Sequence, residues 1–148
     1  MKKFLSLLII IALCLGCTAM ITACDKEKEE ENVEKEIAGT YEMTDISGSI
    51  VYNGETTTLS KDLYDYYRII FNEDGTAKVE SKGAGTTAKV EQDGTWKWTG
   101  EKLELRSENS GVTVVEEMEW NDGVITYTAN QSAQGMTVTM TITLEKQS

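Results

Sequence analysis

The sequence predicts an all-β fold: an antiparallel up-and-down meander of roughly eight to ten strands, closed into a barrel or half-barrel, with one short helix and an N-terminal signal helix. Three observations predict it. From Met136 to Leu144, the apolar Met136, Val138, Met140, Ile142 and Leu144 alternate with threonines, the period-two pattern of a strand with one buried face. Gly-containing turn signals at Asp74-Gly75, Asp93-Gly94, Asn109-Ser110-Gly111 and Asn121-Asp122-Gly123 punctuate the chain. There is no proline, so no strand is confined to an edge on that ground. Closure removes exposed edges; an open sheet or a two-sheet sandwich is the alternative the same spacing permits.

Residues 1–23 read as an export segment. Lys2 and Lys3 precede an apolar run from Phe4 to Leu15, followed by small residues and cysteines. The run is shorter than the ~20 residues a spanning helix needs, which favours a removed signal over an anchor helix. Ile21-Thr22-Ala23-Cys24 resembles the lipobox of bacterial lipoproteins, a branched apolar residue and two small ones before Cys. That resemblance implies cleavage before Cys24 and acylation of its thiol by palmitate-type chains, with Cys17 as runner-up. Two or more acyl chains, at ~0.8 kcal/mol per buried methylene, make such anchoring stable. The expected location is the cell membrane, lipid-anchored on the extracytoplasmic side. All three cysteines lie at or before position 24, so the mature chain has no internal disulfide.

Residues 24–36 read as the lipidated Cys and a disordered acidic tether. Asp25 to Glu36 hold seven acids, three lysines and a single apolar residue, Val33. Fully extended, such a stretch reaches ~40 Å.

The folded domain is expected over residues 37–148. Tyr41 and Met43 share a face of a first strand, Asp45 to Gly48 supplies turn residues, and Ser49 to Thr58 reads as a second strand. Leu59 to Tyr67 is the one helix candidate, with Ser60 as N-cap and Leu59 and Tyr64 at staple spacing. One or two turns are expected there, with tyrosines against the barrel rim. Arg68–Phe71 and Thr76–Ser81 form a hairpin around Asp74-Gly75. Thr86–Glu91 and Thr95–Thr99 read as strands separated by Asp93-Gly94, the second placing Trp96 and Trp98 on one face. Further strands are expected at Lys102–Ser107, Val112–Trp120, Val124–Asn130 and Met136–Leu144. Glu116 interrupts the apolar parity of Val112, Val114, Met118 and Trp120; if it faces inward with them, the interior is partly polar.

GTYEMTD, IIFNEDGTAKVES and GTWKWTGEKLEL, in that order, resemble the lipocalin-like domains of small bacterial lipoproteins. The resemblance covers about Ile37 to Lys146. Tyr41 stands where the family's first-strand Gly-x-Trp carries tryptophan. The resemblance implies a barrel and suggests a bound small molecule, although fold alone does not establish one.

The residue inventory argues against catalysis. There is no histidine, and the only expected mature cysteine is acylated, so Ser-His relays, thiol catalysis and Cys/His metal sites are not expected. No catalytic residue, metal or cofactor is assigned. The net charge of −11 opposes nucleic-acid binding. The candidate ligand cavity is lined by Trp96, Trp98, Tyr41, Met140 and Ile142, with Arg106 as a possible contact for an acidic headgroup. The expected function is a membrane-anchored protein binding a small apolar or amphipathic molecule. The alternative is a cell-envelope module with a filled barrel that recognises a protein partner, unidentified by the sequence.

Overall fold

The computed structural model describes residues 27–109, 112–133 and 135–148. The export segment, Cys17 and Cys24 lie outside the described residues. A helix, α1 (Glu27–Ile37), leads into β1 (Gly39–Tyr52), β2 (Glu55–Thr58), a single 3-10 turn (Lys61–Leu63) and β3 (Tyr64–Phe71). Then follow β4 (Thr76–Gly83), β5 (Lys89–Trp98), β6 (Leu103–Asn109), β7 (Val112–Asn121), β8 (Val124–Ala133) and β9 (Met136–Lys146). No described helix is long and apolar enough to cross a membrane.

All ladders are antiparallel and, β2 aside, each strand pairs with the next along the chain, the meander expected from the turn spacing. β1 pairs with β9 from Tyr41↔Lys146 to Tyr52↔Met136, which closes an eight-stranded barrel and leaves β2 as an extra strand on β1. Closure settles the choice between barrel and open sheet. A register shift between Met43 and Asp45 keeps Tyr41 and Met43 on the same inward face as Ile46 and Ile50. The core is this inward row from every barrel strand.

Two Gly-containing stretches expected as turns are continuous strand. The Asp45–Gly48 stretch lies inside β1, and a Cβ at Gly48 would sit 2.0 Å from the Thr139 carbonyl oxygen. Asp93-Gly94 lies inside β5, which is therefore one strand; a Cβ at Gly94 would sit 2.4 Å from the Arg106 carbonyl oxygen. In both places glycine is required by close approach of a neighbouring backbone rather than by a chain reversal. True reversals occur at Asn53-Gly54 and Asp122-Gly123, where both residues have positive φ, the signature of a two-residue hairpin turn.

The expected helix over Leu59–Tyr67 shrinks to the 3-10 turn, because Tyr64 already pairs with Gly83 at the start of β3. The acidic stretch expected as a disordered tether is helical from Glu27. Val33 and Ile37, four residues apart, pack on the barrel core, so this part of the chain belongs to the fold.

Candidate functional site

The barrel interior divides into two halves, set by how far each ladder runs. At the α1 end the strands are joined all the way round. Tyr41 packs edge-to-face on Phe71 at 5.7 Å, and Phe71 on Trp96 at 5.4 Å. Tyr41, Phe71, Leu103, Ile125 and Leu144 are fully buried there. Every buried polar group in this cluster has a partner. The Trp120 indole N–H donates to the Tyr41 hydroxyl at 3.0 Å, and that hydroxyl donates to the Ile37 carbonyl at 2.9 Å. Trp96 donates to the Asn72 carbonyl at 2.8 Å. Lys146 donates to the Glu36 carbonyl at 2.6 Å, setting a cation at the C-terminal end of α1. Tyrosine rather than tryptophan at position 41 makes this possible, because a phenol accepts and donates at once while an indole only donates.

The opposite half is splayed. The β7–β8 ladder consists of only three pairs, Glu119↔Thr126, Trp120↔Ile125 and Asn121↔Val124, so the strands separate beyond them. β1 pairs with β3 only from Gly39 to Glu42. Leu59 covers part of the second gap: it is buried, and its N–H donates to the Gly48 carbonyl.

The inward row in this half mixes polar and apolar side chains and is partly exposed. Tyr64 and Tyr67 of β3, Val79 of β4, Val90 and Gln92 of β5 and Glu116 of β7 all keep some accessible surface. The Tyr127 hydroxyl and the Gln92 amide nitrogen are cut off from bulk water and have no hydrogen-bond partner. Buried polar atoms without partners are rare, because each costs ~1–3 kcal/mol of lost hydration. Among the described residues Glu116 forms no ion pair, and desolvation alone raises its carboxyl to about 7. Burial raises Tyr64 to about 12 and lifts Tyr67 and Tyr127 well above the ordinary phenol value, and the charge of nearby Glu116 adds to the last two.

The sequence-predicted candidates divide between the halves. Tyr41 and Trp96 belong to the packed end, where Trp98 also sits, edge-to-face on Trp120 at 6.0 Å. Met140 and Ile142 face the interior; Ile142 pairs with Tyr127 and Met140 with Ala129. Arg106 is corrected: Leu103 and Leu105 point inward, so Arg106 points out and pairs with Glu104. Arg68 likewise lies outside, against Glu80. Among the residues that line the splayed half, Glu116 carries a visible signal, the broken parity of β7. Gln92 carries none, since Asp93-Gly94 after it looks like a turn. Among the described residues no group of three or more His, Cys, Asp or Glu side chains could hold a metal.

An eight-stranded antiparallel meander, joined all round at one end and splayed at the other, belongs to the class of up-and-down barrels, whose interiors are either filled by side chains or hold one small ligand. The chain belongs to the lipocalin-like domain family, which it matches over residues 37–127, more than half of its length. Comparison with curated proteins and with solved structures found no match.

Proposed function

We propose that this chain is a lipid-anchored extracytoplasmic lipoprotein whose barrel binds a small amphipathic molecule in its splayed half, and that it has no catalytic role. The observation that carries the binding reading is the unpartnered Tyr127 hydroxyl and Gln92 amide in a partly apolar, incompletely packed interior. A ligand that occupies this space satisfies those groups and covers the partly exposed apolar side chains of Val79 and Val90. The alternative, a filled barrel that docks a protein, calls for an exposed apolar patch. Among the described residues the exposed large apolar side chains are Tyr52, Val112 and Val124; Val124 starts β8 at the plugged end, away from the other two at the splayed end. They are scattered rather than contiguous.

An environment-sensitive apolar dye, titrated into the folded full chain, tests the binding reading. Saturable binding at one dye per barrel, with native near-ultraviolet circular dichroism retained, is expected. No binding moves the assignment to the protein-docking reading. The anchor has its own test, metabolic labelling with an alkyne fatty acid. Cys24→Ser is expected to abolish the label and Cys17→Ser to leave it.

A further inference from the structure

A carboxylate inside a barrel needs a reason, and Glu116 has no internal one. Arg68, Lys78, Lys82, Lys97, Lys102 and Arg106 each pair with another carboxylate. Among the described residues no basic side chain offsets the desolvation of Glu116. The titratable groups that bear on it are phenols, Tyr67 from β3 and Tyr127 from β8, with Tyr64 beside Tyr67. On its other side β6 offers Leu105, its cross-strand partner, and Ser107 beyond it. Hydroxyls can hydrogen-bond a carboxylate but cannot neutralise it. The site therefore has one fixed acid, several hydroxyls and apolar walls, and it lacks one cation.

We propose that the splayed half is a site for a small monoamine with an apolar body, its ammonium group set against the Glu116 carboxylate beside the phenols of Tyr67 and Tyr127. This deepens the binding reading above and rests on it. The chemistry follows from the inventory. An ammonium supplies the missing charge and donates to the carboxylate while a further N–H reaches the unpartnered Tyr127 oxygen. Tyr64 and Tyr67, edge-to-face with ring centroids 6.3 Å apart, give aromatic surface for the ligand's body and a face that attracts cations. A carboxylate-bearing ligand such as a fatty acid meets Glu116 as a like charge and is excluded while Glu116 is ionised.

The test is an isosteric series on the full chain by calorimetry: 2-phenylethylamine, 2-phenylethanol and 3-phenylpropionate. At pH 8 the amine is expected to bind at least tenfold tighter than the alcohol, with no binding of the acid. Lowering the pH from 8 to 6 protonates the free-state carboxyl and is expected to weaken the amine about tenfold, leaving the alcohol unchanged. Glu116→Gln is expected to bring amine and alcohol to equal affinity. If amine and alcohol bind equally to the unmodified chain and neither depends on pH, the amine assignment is wrong and the cavity stands. If none of the three binds, the binding reading itself fails. The pH series needs no variant, so it decides the matter even if Glu116→Gln does not fold.

Discussion

The two ends of this barrel are built from the same inward-facing rows, yet one is sealed and the other is not. At the α1 end, Tyr41, Phe71 and Trp96 interlock, and each of their polar atoms has a partner. At the splayed end, tyrosines of similar size keep exposed edges, and the Tyr127 hydroxyl has no partner. The difference lies in the ladders. Complete strand pairing pulls side chains into close packing, whereas the short β7–β8 ladder holds the walls apart.

The strongest way to break the comparison is truncation at each end. Phe71→Ala is expected to destabilise by ~3–5 kcal/mol in urea unfolding followed by tryptophan fluorescence, and Tyr64→Ala by less than half as much. Equal costs would mean that the two halves are packed alike.

Next in size is the pH response of Glu116. Its folded-state carboxyl stands at about 7, above the ordinary 4.5. Stability from this group is therefore fully present below about pH 4.5 and is lost as pH rises through about 7. Glu116→Gln is expected to remove that decline, so the difference between the two unfolding free-energy profiles should open between those values and reach a few kcal/mol. Glu80 and Asp74, whose carboxyls are held low by hydrogen bonds from Arg68 and Thr76 respectively, work in the opposite direction at lower pH and cancel in the difference.

One substitution made at both ends sharpens the contrast. Tyr41→Phe leaves the Trp120 N–H and the Ile37 carbonyl without their partner and is expected to cost ~1–3 kcal/mol. Tyr127→Phe removes a hydroxyl that has no partner, and its thermal midpoint is expected to stay level or rise. The smallest effect belongs to the outer face: Arg106→Ala should change stability by less than ~0.5 kcal/mol and leave dye binding intact.

Much of this was legible in the sequence. Strict alternation in β9, the Asp122-Gly123 reversal and the lack of proline gave the meander and its inward rows. Glycine was the main source of error, because Gly48 and Gly94 mark close backbone approaches that look like turns when only the chain itself is in view. The acidic stretch misled in another way: Val33 and Ile37 are too few to show an amphipathic helix until a barrel end is there to receive them. The candidate site was half visible. Parity put Met140 and Ile142 inward and left Glu116 conditional, and which half of the interior is splayed depends on where the β7–β8 ladder ends, which no local pattern records.

The most direct test of the open half as a binding interior is native mass spectrometry of the full chain, recovered from cells in a mild detergent of known mass. The account predicts a reproducible added mass of one small organic molecule, lost on unfolding and restored by incubation with an amine. A barrel that is empty when isolated, and stays empty against amines, alcohols and acids alike, would contradict it.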